Sequence, residues 1–275
     1  MSEPMNQAYV HGYAAPENQR LQDQANTLVE LLHADTRYPP GCHVLEAGCG
    51  VGSQTVTLAR QSPQARFTSI DISAASLARA RQQCQAAGLA NVSFRQADIF
   101  ALPFGPASFD HVFVCFVLEH LAQPIAALKL LKALIKPGGS ITVIEGDHGS
   151  TCFHPASAAA DAAIQCQVSL QRAAGGNALV GRQVYPLLVR AGFGAVRVSP
   201  RMVYVDASRP ALVEGFTGRT FTAMIEGVRE AALAAGLITA ERFDAGIRDL
   251  RRTTAADGVF CYTFFKGVGV NRGGA

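Results

Sequence analysis

The sequence predicts an α/β protein built on a mainly parallel seven-stranded sheet, with helices on both faces and two helical insertions. Three observations favour this class. In the first half, short apolar segments alternate with longer segments of helical spacing. One short segment, residues 109–116, is almost continuously apolar, as expected of a strand covered on both faces. A glycine-rich turn joins the first predicted strand to a helix, which is typical of a ligand-binding edge.

Composition indicates one globular unit. The chain has 275 residues, 49% of them apolar and 16% charged, which suffices for a full core. A net charge of +3 with scattered basic residues disfavours nucleic acid as a partner. The longest apolar runs are far shorter than the roughly 20 residues of a membrane span. With no internal repeat or low-complexity linker, we expect a single domain over residues 1–275.

Cysteine usage and the first residues predict the compartment. Seven cysteines lie at irregular spacing without a CxxC pair, which favours free thiols in a reducing environment over disulfides or a metal site. The first 30 residues are polar and lack the apolar core of a signal peptide. We therefore expect a cytoplasmic protein without a metal centre.

The first half is predicted to hold an N-terminal cover and a ligand-binding core. Residues 1–40 form the cover, with an amphipathic helix over about residues 16–33. Residues 41–150 form the core. Its predicted elements are strand 42–47, helix 53–60, strand 65–70, helix 73–87, strand 92–96, strand 109–116, helix 125–135 and strand 140–145.

The second half adds helices before the sheet is completed. We predict helices over 155–174 and 182–191, a strand over 195–205 broken by Pro200, and a helical passage over 210–252. The last strand, within 257–269, is expected to be antiparallel to the others.

The insertions, residues 151–192 and 206–256, are predicted to form a lid over the substrate. Connections of this length usually carry function, although a dimer interface is an alternative use. The side chains expected to wall a substrate pocket are Phe216, Thr217, Arg219, Phe221, Met224 and Arg248.

The turn after the first strand has a carboxylate ahead of three alternate glycines: Glu46, Gly48, Gly50 and Gly52. Glycine lacks a Cβ, so the backbone can turn tightly and approach a ligand closely. A dinucleotide site would show G-x-G-x-x-G and a pyrophosphate at the helix N-terminus. A carboxylate here would repel a pyrophosphate but suits an ammonium or sulfonium group. Taken alone, the glycines are equally compatible with an ordinary tight turn.

Two further acids follow the next two predicted strands. Asp71 ends the second strand, where a carboxylate can accept both ribose hydroxyls. Asp98 ends the third, where it can accept from an adenine amino group. Each aspartate alone is compatible with a turn or helix cap. Together with Glu46 they place acids at three successive strand ends and predict a site for an adenosyl amino acid.

Six motifs of this chain resemble those of class I S-adenosylmethionine-dependent methyltransferases, and most of all the small-molecule branch with the ubiquinone and menaquinone biosynthesis enzymes. The resemblance spans residues 40–150, about 40% of the chain. It implies a Rossmann-like fold with S-adenosyl-L-methionine as cofactor. The motifs are residues 44–52, 70–73, 96–99, 108–110, 118–121 and 134–139.

The resemblance also implies roles for individual residues. The glycine turn would hold the methionine part of the cofactor, Asp71 the ribose, and Asp98 the adenine. The residues after the fourth strand would line the methyl-donor pocket, and Tyr13 with the helix around Arg20 and Gln24 would cover the cofactor. The implied cofactor-binding residues are Tyr13, Gln24, Glu46, Gly48, Cys49, Gly50, Asp71, Ile72, Asp98, Ile99, Cys115 and Phe116.

Candidate catalytic groups follow the fifth predicted strand. Methyl transfer from a sulfonium demands alignment and a dry pocket, and a base only if the acceptor must lose a proton. His148 is predicted as that base, with Glu145 or Asp147 orienting it or binding a cationic acceptor. Alternatively, Asp147 and His148 cap the next helix.

The segment after the fourth strand separates the substrate classes. Base-methylating enzymes would show (Asn/Asp/Ser)-Pro-Pro-(Tyr/Phe) there, whereas this chain has Cys115-Phe116-Val117-Leu118. We therefore predict methyl transfer from S-adenosylmethionine to an O, N or C atom of a small molecule, in secondary or specialised metabolism, with a homodimer as an option. The alternatives are an NAD(P)-dependent oxidoreductase, disfavoured by the glycine spacing and Glu46, and a non-catalytic regulatory protein that binds the cofactor.

Overall fold

The computed structural model describes residues 27–273. Tyr13, Gln24 and the first part of the predicted cover helix lie outside the described residues. The described end of that helix, α1, spans residues 27–33 and buries Leu28 and Leu32 against the sheet side of the molecule. This part of the prediction is confirmed.

The sheet has seven strands in the order β3-β2-β1-β4-β5-β7-β6. Parallel pairs join β1 to β2, β2 to β3, β1 to β4 and β4 to β5, whereas β7 is antiparallel to both β5 and β6. The predicted sheet and its antiparallel last strand are confirmed. The strands are β1 His43–Ala47, β2 Arg66–Asp71, β3 Val92–Gln96, β4 Phe109–Cys115, β5 Ile135–His154, β6 Gly194–Val205 and β7 Val259–Val270.

Helices α2 (Ser53–Gln61), α3 (Ala74–Ala86) and α4 (Pro124–Leu134) connect the strands of the first half. The predicted caps of α3 are present: Ser73 Oγ accepts a hydrogen bond from Ser76 N at 3.2 Å, and Gly88 takes a left-handed φ of 68° after the helix. Two buried apolar clusters cover the two faces of the sheet. The alternation predicted for the core is therefore confirmed.

The strand order reverses beside β1. From β1 the chain moves to β2 and β3 on one side, and then returns to β4 and β5 on the other. Ligands of open α/β sheets bind at the carboxyl ends of the strands where this reversal occurs. The glycine turn after β1 lies at that position, next to the end of β4.

The fifth strand is longer than predicted. Instead of ending at Glu145, β5 continues to His154 and pairs with β7, with a change of register between Asp147 and Cys152. The partner segment of β7 lies more than 100 residues further along the chain, so no local pattern could indicate this pairing. The polar cluster around His148 consequently lies within a strand rather than in a loop after it.

The predicted break of β6 at Pro200 is wrong. The strand runs without interruption from Gly194 to Val205, and Pro200 lies opposite Phe265 of β7. β6 is the edge strand and pairs only with β7. Proline is tolerated on an edge strand because its missing N–H can face away from the ladder.

The insertions pack on the long ends of β5 and β7. Phe216, Phe221 and Phe243 from the insertions join Phe260 of β7 in one buried cluster. The predicted helical passage over 210–252 is divided into several helices. No described helix is long and apolar enough to cross a membrane. The helices of the insertions are α5 Ala158–Ala173, a 3₁₀ helix Val180–Gln183, α6 Val184–Arg190, α7 Pro210–Leu212, a π-helix Val213–Thr222, α8 Ala223–Gly227, α9 Arg229–Ala234 and α10 Ala240–Arg252.

Candidate functional site

The glycine turn is fixed to the end of β2 by its backbone. Gly48 N and Cys49 N donate to the carbonyl of Ile70 at 2.8 and 2.9 Å, and Gly50 N donates to Asp71 Oδ2 at 2.8 Å. Gly48 and Gly50 have φ values of 80° and 53°, in the left-handed region that favours glycine. The turn therefore has one defined shape, which other residue types would strain.

The two sides of this turn differ in the space they leave. A Cβ on Gly48 would overlap the side chain of Val117, which follows β4. Around the equivalent position on Gly50, no atom of the described residues lies within 4 Å. Ser53 Oγ, just after the turn, is buried without a hydrogen-bond partner in the described part of the chain. The turn thus combines open space with a polar atom that lacks a hydrogen-bond partner, which are two features of a binding site for a polar ligand.

Glu46 is buried beneath the turn. Its Oε2 accepts hydrogen bonds from Thr55 Oγ1 of α2 and Ser69 Oγ of β2, both at 2.6 Å. Burial raises the pKa of its carboxyl to about 7, against the lowering effect of the two hydroxyls. Glu46 therefore ties β1 to α2 and β2. Its predicted contact with the cofactor stays a prediction.

Asp71 joins the turn to α3. Its Oδ2 accepts from Gly50 N, and its Oδ1 accepts from Ser73 N at 2.9 Å. Burial raises the pKa of this carboxyl, while the backbone donors oppose the shift. The next residue, Ile72, leaves 58% of its surface exposed, unusual for an isoleucine at the end of a buried strand. This pair offers a carboxylate and an apolar surface side by side.

Asp98 repeats this arrangement after β3. Its Oδ1 accepts from Phe100 N at 2.9 Å, which closes a turn. Ile99 is buried in the core, whereas the ring of Phe100 is exposed. Phe100 is not among the predicted site residues. Its position two residues after Asp98, at the same strand end, is the sequence feature that could have indicated it.

The end of β4 faces both the glycine turn and β7. Phe116 adopts a left-handed φ of 57°, its amide donates to Ile144 O at 2.9 Å, and its ring lies 5.4 Å from that of Phe264. The Cys115 thiol is buried, and burial together with neighbouring carboxylates raises its pKa, so it remains protonated. The predicted methyl-donor residues thus lie between the turn and the aromatic side chains of β7.

Glu145 anchors that same segment. Its carboxylate is fully buried, and Oε1 accepts from Val117 N at 3.0 Å and Leu118 N at 2.7 Å. Oε2 has no hydrogen-bond partner in the described part of the chain. Burial, and then the nearby carboxylate of Glu119, raise the pKa of Glu145 well above its usual range. A buried carboxylate oxygen without a partner indicates a proton or a ligand at that atom.

His148 is oriented by a residue that the sequence did not indicate. Its Nδ1 lies 2.7 Å from the hydroxyl of Tyr262, whereas Asp147 forms an ion pair with Arg182 at 2.5 Å. Tyr262, and not Glu145 or Asp147, is therefore the residue seen beside Nδ1 of His148. The prediction that Glu145 or Asp147 binds a cationic acceptor stays a prediction. The alternative of a helix cap is wrong, because α5 is capped by Ser157, which accepts from two amides.

The π-helix supplies the buried wall opposite β7. Phe216 lies 5.9 Å and Phe221 5.6 Å from the ring of Tyr262 between centroids, and Phe221 lies 6.2 Å from His148. Thr217 is fully buried, and its hydroxyl has no partner among the described residues. π-helices are rare and frequent at functional sites.

The remaining predicted wall residues divide into two groups. Met224 is buried next to the aromatic cluster. Arg219 and Arg248 are exposed, and Arg219 forms an ion pair with Glu214, so these two do not belong to the buried wall.

Two side chains of the candidate site that the sequence did not indicate lie far from their partners along the chain. Tyr262 is 114 residues from His148, and Arg182 is 35 residues from Asp147. Val117 belongs to the predicted methyl-donor segment, but the sequence does not predict its packing against Gly48. No local pattern marks these pairs.

Comparison with known proteins gives consistent matches. A family model described as a methyltransferase domain matches residues 39–192. A ubiquinone biosynthesis O-methyltransferase of Methylocella silvestris is 37% identical over 115 residues, 40% of this chain and 43% of that protein. An uncharacterized methyltransferase of Schizosaccharomyces pombe is 33% identical over 147 residues, 51% of this chain and 52% of that protein. The chain spans about half the length, or less, of the first curated relatives.

A solved structure supports the same fold. Phosphoethanolamine N-methyltransferase 2 of Haemonchus contortus, in complex with S-adenosyl-L-methionine, matches with a TM-score of 0.56 at 18% identity. The match covers 90% of this chain and 52% of that chain. At this identity the likeness establishes the fold alone.

Proposed function

Because the chain belongs to the methyltransferase-domain family, of which residues 39–192 carry the match, we propose that it transfers a methyl group from S-adenosyl-L-methionine to a small molecule. The resemblance to class I enzymes stated from the motifs is confirmed by the family match and by the relatives. The observation that carries the proposal is the glycine turn, held to Asp71 and open above Gly50.

The proposed cofactor-binding site lies along the carboxyl ends of β1 to β4. The open N-terminus of α2, which has no side-chain cap, and the unpartnered hydroxyl of Ser53 suit the amino-acid part. Asp71 keeps lone-pair capacity for the ribose hydroxyls, since a carboxylate has about four acceptor positions and the amides of Gly50, Ser73 and Ile72 do not fill them all. Ile72 and Phe100 supply exposed apolar surface for a base.

The other predicted cofactor contacts are proposed for the same site. Cys49 belongs to the glycine turn, Asp98 and Ile99 lie at the end of β3, and Cys115 and Phe116 lie at the end of β4. When bound, S-adenosylmethionine supplies a methyl group on a sulfonium, activated for in-line displacement. This chain's residues then have to align the acceptor and exclude water.

The acceptor site is proposed between the end of β4 and the π-helix. Glu145 lies under the segment that contacts Gly48, and His148 lies beside Phe221. Both are proposed to contact the acceptor, with the phenylalanines excluding water. Residues 151–192 and 206–256 would then form the substrate lid, and the N-terminal 40 residues the cover.

The methylated atom is left open among O, N and C. The name of the Methylocella relative specifies an O-methyltransferase in ubiquinone biosynthesis, and that of the Haemonchus enzyme an N-methyltransferase. A buried carboxylate favours a polar or amine-bearing acceptor, while the buried rings favour an aromatic one. We further propose a place in secondary or specialised metabolism, in the cytoplasm.

A homodimer is proposed through the outer surface of the insertions. Tyr185 and Val189 of α6 are exposed apolar side chains on that surface. Light scattering on the purified chain measures the mass directly, and a monomer at micromolar concentration would contradict this part of the proposal.

Titration calorimetry with S-adenosylhomocysteine, the demethylated cofactor, tests the cofactor assignment. We expect binding by the wild type and a 5- to 150-fold loss in Asp71→Asn, equivalent to about 1–3 kcal/mol for a charge-assisted hydrogen bond. Asp110→Asn is the matched control, since Asp110 lies at the other end of the sheet, bonded to His43 N and Lys136. No heat with wild type, or equal losses in both variants, would contradict the proposed cofactor-binding site.

An activity assay distinguishes a methyltransferase from the two alternatives, an oxidoreductase and a non-catalytic regulatory protein. Incubating the protein with S-adenosylmethionine and fractionated extracts, followed by mass spectrometry, should reveal a metabolite heavier by one methylene. Cofactor binding without any such product favours the non-catalytic regulatory protein. Binding of NADH in place of S-adenosylhomocysteine would favour the oxidoreductase.

A further inference from the structure

Tyr262 and His148 form a buried pair from two neighbouring strands. The hydroxyl lies 2.7 Å from Nδ1 of the imidazole, and both side chains are almost fully buried. Phe221 packs on both rings, and Phe264 lies 4.8 Å from the Tyr262 ring. Packing on several sides restricts both rings to the geometry in which the hydrogen bond forms.

A glycine makes room for this hydroxyl. The Tyr262 side chain extends over residue 146 of β5, where a Cβ would overlap the phenol oxygen. Gly146 has no positive φ, so its conformation does not require glycine. The space it leaves is the physical reason for glycine between Glu145 and Asp147.

The direction of the hydrogen bond follows from the surroundings of the hydroxyl. Burial, and then the carboxylates of Glu119, Asp147 and Glu145, raise the pKa of Tyr262 well above its usual range, so the phenol keeps its proton. The backbone of Asp147 also hydrogen-bonds the phenol and lowers its pKa, so it acts as a donor to the oxygen. Among the described residues, the side chain within hydrogen-bond distance of the hydroxyl is His148, whose Nδ1 can accept the phenolic proton.

From this geometry we propose that Tyr262 is a positioning residue that fixes the tautomer of His148, with Gly146 providing its space. A neutral imidazole has one N–H and one lone pair. If Nδ1 accepts from Tyr262, the ring proton is on Nε2. The role of this pair in methyl transfer rests on the proposed function, whereas the tautomer does not.

This assignment changes the chemistry available to His148. In this tautomer, the lone pair of Nδ1 is already used by the Tyr262 hydroxyl, and Nε2 carries a proton. The neutral ring therefore acts as a hydrogen-bond donor through Nε2. It does not act as a general base unless the bond to Tyr262 is broken. His148 is thus assigned to orient polar groups rather than to remove a proton.

The tautomer of His148 can be measured by long-range ¹H–¹⁵N correlation NMR on the ¹⁵N-labelled chain. The sample contains S-adenosylhomocysteine and is kept above the pH at which imidazoles titrate. The chain has seven histidines, and His148→Gln identifies the signal of interest. We expect Nε2 with the shift of a protonated nitrogen and Nδ1 with that of a hydrogen-bonded imine nitrogen. In Tyr262→Phe, Nδ1 should move toward an unbonded imine nitrogen.

Gly146→Ala should give the same change of Nδ1 as Tyr262→Phe, because its methyl group would displace the hydroxyl. Tyr204→Phe, a phenol on exposed β6, is the matched control and should leave both nitrogens unchanged. A proton on Nδ1 in the wild type, or an Nδ1 shift that Tyr262→Phe does not alter, would overturn the proposal.

Calorimetry with S-adenosylhomocysteine on the same samples keeps the two proposals separate. An unchanged affinity in Tyr262→Phe with an altered Nδ1 supports the assignment. Absence of binding by the wild type would remove the proposed function while the tautomer measurement still stands.

Discussion

Two regions of the molecule contribute to the candidate site in different ways. The glycine-turn edge, residues 46–52 with Asp71 and Asp98, is held together by backbone amides and by partners about 20 residues apart. The aromatic wall, formed by Phe216, Phe221, Phe260, Tyr262 and Phe264, is assembled from side chains of separate segments. Its polar contact, between Tyr262 and His148, spans 114 residues.

The difference indicates that the two regions tolerate substitution to different degrees. A turn defined by backbone geometry accepts few residue types, because left-handed φ values and close approaches exclude most side chains. A wall of packed rings tolerates exchanges of similar volume. We therefore expect the glycine-turn edge to set the cofactor and the aromatic wall to set the acceptor. Three variants test whether the two regions affect stability and cofactor affinity separately.

Phe221→Ala should have the largest effect, on stability rather than on the cofactor. The ring lies 4.7 Å from Phe260 and is buried, so its removal leaves a cavity that should cost about 3–5 kcal/mol in the free energy of unfolding. Urea denaturation measures this cost. In the folded variant, the affinity for S-adenosylhomocysteine should stay within about twofold.

Met202→Ala is the control for this variant, because that side chain is exposed on the edge strand β6 and should change stability by less than about 0.5 kcal/mol. The division between the two regions would be wrong if Phe221→Ala lost cofactor affinity tenfold at a temperature where it remains folded.

Gly48→Ala should damage the other region. A methyl group there meets Val117 and imposes a left-handed φ on alanine, which together should cost about 2–4 kcal/mol. Gly41→Ala carries the same positive φ without a neighbour within 4 Å in the described part of the chain, so it isolates the conformational cost of about 1–2 kcal/mol.

Calorimetry with S-adenosylhomocysteine then compares the two alanine variants. We expect a loss of affinity in Gly48→Ala and none in Gly41→Ala. Equal affinities would mean that the shape of the turn does not matter for the cofactor, and would leave the family match without its structural explanation.

Glu46→Gln should have the smallest effect of the three variants, and this effect should appear as a change in the pH dependence of the free energy of unfolding. The folded state holds the Glu46 proton up to a pKa of about 7, above the ordinary value of 4.5. Folding therefore binds a proton between these values, and the stability of the wild type should decrease as the pH rises from about 4.5 to about 7. Glutamine cannot ionise but still accepts from Thr55 and Ser69.

The measurement is the free energy of unfolding of both proteins between pH 4.5 and 8. Relative to wild type, Glu46→Gln should gain up to about 3 kcal/mol over this interval, at roughly 1.4 kcal/mol for each unit of pKa. Parallel curves would show that Glu46 ionises normally in the fold.

Elements that are defined by interactions between residues close in sequence were predicted correctly, whereas those defined by contacts between distant segments were not. Helix α3 was predicted within a residue because Ser73 and Gly88 terminate it locally. The end of β5 was predicted wrongly because residues after Glu145 are held in a strand only by β7. The break at Pro200 was predicted wrongly because only the sheet order reveals that β6 is an edge strand.

The sequence by itself determined the sheet, the helices of the core and the glycine-turn edge, because these depend on apolar periodicity, on turns that require glycine, and on acids at strand ends. Only the tertiary structure decided that Glu46 is buried under the turn, that Glu145 anchors the segment after β4, and that Tyr262 orients His148. Such contacts join segments that meet through packing, and packing depends on the whole chain at once.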